Sequence, residues 1–249
     1  MARQLIGAAL LPSAVFMALA AARSVAGLTT HGQAAWPFLA GLGLTALFWW
    51  FGRYTVESVE TAAFPIRWAA ALTRRGYVFG HELTHALAAW SVGAKVLGFA
   101  AGEDSGHIDL SRTNAFVALA PYCVPIYTLV VVAGYRVLLW LRPGAQAHAL
   151  FLALIGVSIG FHLLKTFETI WDARQPDLPA AGGVVFSVSW IVMVNALTVL
   201  LLAKALFPAA VELAGSARGV WARTAAFWSG LYGVIEPLRR SFLAQLKRP

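Results

Sequence analysis

Long apolar segments separated by short polar connections constrain the fold of this chain more than any other feature. Roughly 17–25 consecutive, mostly apolar residues are long enough to cross the hydrocarbon core of a bilayer as an α-helix. Such segments lie at about residues 4–26, 34–51, 76–92, 114–141, 147–171 and 184–207. They do not show the alternation of apolar and polar residues that transmembrane barrel strands require. The sequence therefore predicts an all-α polytopic membrane protein with about six transmembrane helices.

Composition and charge support this class. Of the 249 residues, 59% are hydrophobic and only 12% are charged, whereas about a quarter of the residues in a typical soluble domain are charged. The net charge of +8 comes from basic residues at the ends of the apolar segments and in the tail. Anionic lipid headgroups attract such residues, so the expected partner is the lipid bilayer and not nucleic acid. We expect a multi-pass protein of the cell (inner) membrane.

Three parts are expected along the chain. Residues 1–75 hold two transmembrane spans and an amphipathic connector, and residues 76–207 hold the core with its candidate site. Residues 208–249 form a basic segment with apolar residues at helical spacing, which is typical of a helix that lies in the membrane interface. The only cysteine, Cys123, excludes a disulfide framework and a thiolate metal site.

A short β-hairpin is predicted at residues 94–112, after the third apolar segment. This stretch alternates apolar and polar residues and contains several glycines, which is the pattern of paired short strands. Strand edges are not stable in lipid, so the hairpin must pack on protein or line an aqueous cavity. Such an edge can bind an extended substrate backbone.

Two prolines interrupt the fourth apolar segment. Pro121 and Pro125 each remove a backbone hydrogen bond and clash with the preceding helical turn. The sequence therefore predicts a kinked helix, which in a bundle opens space beside a site.

The segment His81-Glu82-Leu83-Thr84-His85 carries the main chemical signal of the sequence. Histidines four residues apart lie on one helix face, so both imidazoles can bind one metal ion, with Glu82 beside them. Zinc suits two neutral imidazoles and a third protein ligand, and its fourth position holds water that a carboxylate can deprotonate. Ionisable groups inside a membrane helix are typical of functional sites. We therefore expect a Zn²⁺ site with His81 and His85 as ligands and Glu82 as the catalytic base.

Several residues could supply the third metal ligand. Asp177 ranks first, because it lies in a proline-bounded turn just before the sixth apolar segment. Glu168 ranks second, with Asp172 as its hydrogen-bonded support, in the spacing of a different zinc peptidase pattern. The other candidates are His107, Asp109 and His162.

A few polar residues are candidates for binding substrate. His162, in the fifth apolar segment, fits either a core histidine or a group that binds substrate or an oxyanion. Gly106 and His107 lie in the predicted hairpin, and Asn114 follows it. An isolated asparagine near a helix, such as Asn114 or Asn195, more often forms interhelical hydrogen bonds.

The order of these features resembles the site-2 protease family of intramembrane zinc metallopeptidases. The resemblance covers residues 76–207 and rests on residues 81–85, on the hairpin residues 93–96 and 106–108, and on Asp177 followed by Gly182-Gly183. The family's usual Asn-Pro and Leu-Asp-Gly sequences are absent, since this chain reads Gln175-Pro176-Asp177-Leu178. The resemblance implies that Asp177 completes the zinc site. It also implies that Glu82 activates a zinc-bound water to hydrolyse a peptide bond within or near the transmembrane segment of a protein substrate.

Two alternatives stay open at this point. The first is a non-proteolytic membrane metal-binding protein, either a transporter or an assembly factor. Transport would require further polar groups through the bundle, and the fourth and sixth apolar segments contain few. The second is a membrane zinc peptidase of the prenyl-protein or heat-shock type, with Glu168 as third ligand. The sequence does not define the substrate, the orientation in the membrane or the oligomeric state.

Overall fold

The computed structural model describes residues 1–55, 64–102, 105–171 and 175–246, and this part of the chain is mostly helical. A 3-10 helix (Leu28–Ala34) joins α1 to α2, and strands β1 (Val96–Ala101) and β2 (Gly106–Leu110) follow α3. The helices are α1 (Ala2–Gly27), α2 (Trp36–Thr55), α3 (Phe64–Ser91), α4 (Ala115–Cys123), α5 (Ile126–Leu141), α6 (His148–Trp171), α7 (Asp177–Ala181), α8 (Val184–Leu206) and α9 (Leu213–Leu246). The predicted helical architecture with one short hairpin is confirmed.

Fewer helices qualify as membrane spans than the six that the sequence predicts. By length and composition, three in the described ranges can cross a bilayer: α1 with the residues that follow it (Ala2–Thr30), α6 and α8. The pair α4 and α5 would add a fourth if it forms one bent span. The apolar part of α2 (Trp36–Phe51) is too short for this test. Helix α3 carries three arginines together with the histidines and glutamate of the motif, and these lower its hydropathy.

Two pairs of helices form the frame of the molecule. Helix α1 packs along α8, and α2 packs along α6. The backbone of Gly7 lies so close to that of Phe186 that a Cβ would not fit, and Gly156 lies equally close to the carbonyl of Phe38. Small residues allow such close contact between helices. The first two helices therefore pack closely on α8 and α6.

A sharp bend separates α4 from α5, as the two prolines predict. The helix axes differ by 64°, and the break falls at Val124 and Pro125 because the residue before a proline disfavours helical dihedrals. At the other end of α4, the Asn114 side chain accepts a hydrogen bond from the Val117 amide at 2.9 Å, which caps the helix. Helix α4 packs against both α3 and α7, so it brings these two helices close together.

The hairpin packs on α3, as expected for a strand pair beside apolar helices. The two strands are antiparallel, with Phe99 opposite Ile108 and Ala101 opposite Gly106. The ring of Phe99 contacts that of Phe79 on α3, with centroids 5.9 Å apart. Helix α3 spans Phe64–Ser91, so residues 64–75 of the predicted connector and the third apolar segment form one continuous helix.

Helix α9 forms the described part of the C-terminal segment. Its first half contacts α1, where the Thr224 hydroxyl donates to the Ser13 hydroxyl at 3.4 Å. In its second half, large apolar side chains such as Leu238 and Phe242 are exposed. An interfacial position for this helix stays a prediction.

Candidate metal centre

The two histidines of the motif lie side by side on α3. Their ring centroids are 5.0 Å apart, and the rings are inclined by 77°. His85 is buried, with 6% of its surface exposed. The helical spacing therefore places both imidazoles on one face of α3, directed at the same point in the interior, as the sequence predicts.

Asp177 is the first residue of α7 and meets both histidines. Its Oδ2 lies 3.7 Å from His81 Nε2 and 3.6 Å from His85 Nε2. These separations are too long for hydrogen bonds. Two ligands on a tetrahedral zinc, each about 2.0–2.1 Å from the metal, lie about 3.3–3.4 Å apart. The spacing therefore fits three ligands around one ion.

The protonation of His85 supports the same conclusion. Its Nδ1 lies 2.9 Å from the carbonyl oxygen of Val117, and a carbonyl only accepts hydrogen bonds. In the neutral imidazole the proton is therefore on Nδ1, and Nε2, which faces the Asp177 carboxylate, has a lone pair that can bind a metal ion. A carbonyl that orients a ligand histidine in this way is a common feature of metal sites.

The three ligand atoms lie within 4.8 Å of one another. His81, His85 and Asp177 form a group that can hold a metal ion. We call this group the metal cluster. Asp172, the predicted support for Glu168, lies outside the described residues.

Tyr122 on α4 completes the surroundings of Asp177. Its hydroxyl donates to Asp177 Oδ2 at 2.8 Å, and its ring contacts that of His81 at 5.1 Å. Partial burial disfavours the charged carboxylate, but His81, His85 and Tyr122 outweigh this and hold the pKa of Asp177 below its usual range. The sequence analysis did not single out Tyr122. The sequence signal that could have identified it is a tyrosine within an apolar segment, because a buried tyrosine hydroxyl needs a hydrogen-bond partner.

Contacts along α7 hold Asp177 in place. Leu178 is buried to 1% exposure, and its carbonyl accepts a hydrogen bond from the Ser187 hydroxyl at 2.8 Å. At the end of α7, the carbonyl of Ala181 accepts from the Arg3 guanidinium at 2.9 Å. The helix is therefore attached to both α1 and α8.

Glu82 lies directly beneath the hairpin. It is buried, with 8% of its surface exposed. A Cβ added to Gly106 would lie 2.5 Å from both Cγ and Oε1 of Glu82, a distance at which one of the two must move. Glycine at this position therefore lets β2 pack against the predicted base.

The other candidate third ligands point elsewhere. Glu168 accepts hydrogen bonds from Lys165 Nζ, at 2.7 Å, and from the Trp49 indole. His107 bonds to Asp109 on the exposed face of the hairpin at 2.8 Å. Neither the hairpin pair nor Glu168 joins the metal cluster among the described residues.

His162 belongs to a hydrogen-bonded network behind the metal cluster. Its Nε2 lies 2.9 Å from the side-chain oxygen of Asn195, whose amide donates to the Tyr122 carbonyl at 2.7 Å. His162 and His81 also line a common cavity of about 20 Å³, enough for one water molecule. This position fits a core histidine that supports Tyr122. Asn114, the remaining substrate-binding candidate, caps α4.

Comparison with known proteins found no relative: no family model, curated protein or solved structure matches this chain. The class of the protein therefore follows from the fold and the site. It is a helical protein with helices able to cross a membrane and a His-His-Asp group able to hold a metal ion.

Proposed function

We propose that this protein is an intramembrane zinc metallopeptidase of the site-2 protease type. It would hydrolyse a peptide bond within or near the transmembrane segment of a membrane protein. The observation that carries the proposal is the meeting of Asp177 with His81 and His85, 3.6–3.7 Å apart. A metal held by this group would lie beside Glu82, the next residue of the motif.

Zinc is the metal that this donor set favours. Two histidines and one carboxylate leave one position open on a four-coordinate ion, as in catalytic zinc sites. When bound, zinc would act as a Lewis acid that polarises the scissile carbonyl and makes water more acidic. His85 donates a hydrogen bond to the Val117 carbonyl, and Asp177 accepts one from the Tyr122 hydroxyl. These bonds orient two of the three ligands, which raises metal affinity.

Glu82 is the proton carrier in this proposal. Its carboxylate takes the proton from the attacking water and returns it to the leaving amine. Burial under β2 keeps the carboxylate away from bulk water. A substrate bound at the hairpin would be close to this carboxylate, because β2 begins at Gly106.

The substrate segment must be extended at the point of cleavage. A helix exposes no free backbone groups along its length, whereas an extended backbone can pair with a strand edge. In the described part of the chain the sheet has two strands, so β2 pairs on one side only. Small or helix-breaking residues near the scissile bond would favour unwinding.

The test combines metal analysis with a cleavage assay. Detergent-purified protein should bind one zinc per chain and cleave a model transmembrane peptide, and a chelator should abolish cleavage. Glu82→Gln should retain zinc but lose about 10²–10⁴-fold in rate, the usual contribution of a general base. His85→Ala should lose both metal and cleavage. Glu212→Gln, at an exposed glutamate, is the matched control and should behave as wild type.

Two outcomes would change the proposal. Cleavage by Glu82→Gln at the wild-type rate would show that the base is assigned incorrectly. Stoichiometric metal without cleavage of any tested transmembrane peptide would favour the alternative of a non-proteolytic metal-binding protein.

A further inference from the structure

A large apolar cleft lies between the two helix pairs, away from the metal cluster. Its volume is about 570 Å³. Helices α1 and α8 form one wall, and α2 and α6 form the other. Lining residues include Ala18, Ala22, Leu163, Phe167, Val192 and Val199. The cleft is only partly enclosed by protein, so a ligand can enter it from the side.

Packed side chains lie at the two ends of the cleft. At one end, the ring of Phe38 contacts that of Phe207 with centroids 5.7 Å apart. At the other end, Ile170 and Ile191 line the cleft and also pack around Leu178. Leu178 follows Asp177, so this end lies against the helix that carries the third residue of the metal cluster.

The cleft runs lengthwise between the helices. It extends from Ile159 to Ile170 along α6 and from Ile191 to Leu202 along α8, which is about 17 Å at a rise of about 1.5 Å per residue. A cleft of this length can hold an extended hydrocarbon chain.

The lining selects a hydrocarbon chain. Asn195 lies on the wall, but both polar atoms of its amide are already hydrogen bonded to His162, Tyr122 and Ile191. Water is poorly held by a cavity lined in this way. One leaflet of a bilayer is about 15 Å of hydrocarbon, close to the length of the cleft. The three helices that can cross a membrane, α1, α6 and α8, all contribute to its walls.

We propose that the cleft binds a single acyl chain of a membrane lipid. The chain would enter sideways between the helix pairs and fill the space that separates α1 and α8 from α2 and α6. Its inner end would pack against Ile170 and Ile191 and so support α7 from behind. This proposal does not depend on the proposed protease activity.

The experiment uses a phosphatidylcholine with a photoactivatable diazirine on one acyl chain. The full-length protein is reconstituted into phosphatidylcholine vesicles that contain this probe and irradiated, and adducts are located by mass spectrometry. We expect peptides from the walls of the cleft to be labelled roughly tenfold above outward-facing positions, the ratio that about 1.4 kcal/mol of extra binding gives. Equal labelling of all lipid-exposed faces would overturn the proposal, regardless of the labelling pattern of the variants.

Filling the cleft provides the second readout. Ala22→Phe places a ring in the cleft and should remove the tenfold preference. Ala9→Phe, at an exposed position of α1 outside the lining, should keep it, and Val199→Phe is a second filling variant from the opposite helix. Equal labelling of Ala22→Phe and Ala9→Phe would contradict the proposal. Displacement of the probe by a transmembrane peptide, but not by excess lipid, would assign the cleft to a peptide and overturn it.

Discussion

Two clusters of polar side chains lie among the apolar helices, and they differ in how their charges are satisfied. In the metal cluster, the Asp177 carboxylate faces the Nε2 atoms of His85 and His81. In the second, which we call the ion-pair cluster, Glu168 accepts hydrogen bonds from Lys165 and Trp49. The first arrangement brings acceptors together, and the second pairs an acceptor with donors.

This difference separates a binding site from a structural contact. Glu168 is already neutralised, so a metal ion would have to break its bond to Lys165 before binding. Among the described residues, Asp177 accepts a hydrogen bond from the Tyr122 hydroxyl, and its other close partners are histidine nitrogens. Converging acceptors repel one another unless a cation lies between them. For this reason we propose Asp177, and not Glu168, as the third ligand.

The largest expected effect tests that assignment directly. Asp177→Ala should lose its bound metal after dialysis, because two histidines alone leave the ion too weakly held. Glu168→Ala should keep one metal per chain, because its carboxylate bonds to Lys165 instead. Metal analysis of both purified variants measures the outcome. Metal loss in Glu168→Ala with retention in Asp177→Ala would reverse the comparison and favour the peptidase of the prenyl-protein or heat-shock type.

The next prediction concerns the hairpin, whose second strand packs against Glu82. Gly106→Ala adds a Cβ about 2.5 Å from the side chain of Glu82, so either the strand or the base must shift. A displacement of this size should lower the cleavage rate by about 10²-fold with metal content unchanged. Gly134→Ala is the matched control, since a Cβ there meets no atom within 4 Å. Full activity of Gly106→Ala would place productive substrate binding away from the hairpin.

A smaller effect is expected from the group that orients Asp177. Tyr122→Phe removes the hydroxyl that bonds to Oδ2 and should weaken metal affinity about 10–100-fold, the usual cost of losing such a support. Tyr77→Phe is the control, because its hydroxyl bonds to Thr169 at 2.8 Å and not to a residue of the metal cluster. Competition with a chromogenic chelator measures both affinities. Equal affinities in the two variants would show that Tyr122 has no role in metal binding.

The smallest effect belongs to the ion-pair cluster. Lys165→Met leaves Glu168 without its ammonium partner and should lower the free energy of unfolding by about 1–2 kcal/mol. Replacing both residues, in Lys165→Met/Glu168→Leu, should recover part of this loss because no unpaired charge remains. Thermal unfolding in detergent compares the variants, and metal content should stay at one per chain in both. Loss of metal in either variant would link the two clusters.

Several local features could be predicted from the sequence because their causes are local. The helical spacing alone places His81 and His85 on one face, and Pro125 alone disfavours a continuous helix before it. Alternating residues with glycines between them favour a hairpin at 94–112. The number of membrane spans was predicted less well, because α2 is short and the motif itself makes α3 polar.

The sequence by itself determined that an apolar helical chain carries two histidines and a glutamate at the spacing of a metal site. It could rank Asp177 first among the third ligands, but it could not exclude Glu168, since both lie far from the histidines along the chain. Only the tertiary structure decided which carboxylate meets the imidazoles, that Tyr122 supports it, and that Gly106 leaves room for Glu82. The reason is that such contacts depend on how α4 packs between α3 and α7, and packing over this sequence separation has no local signature.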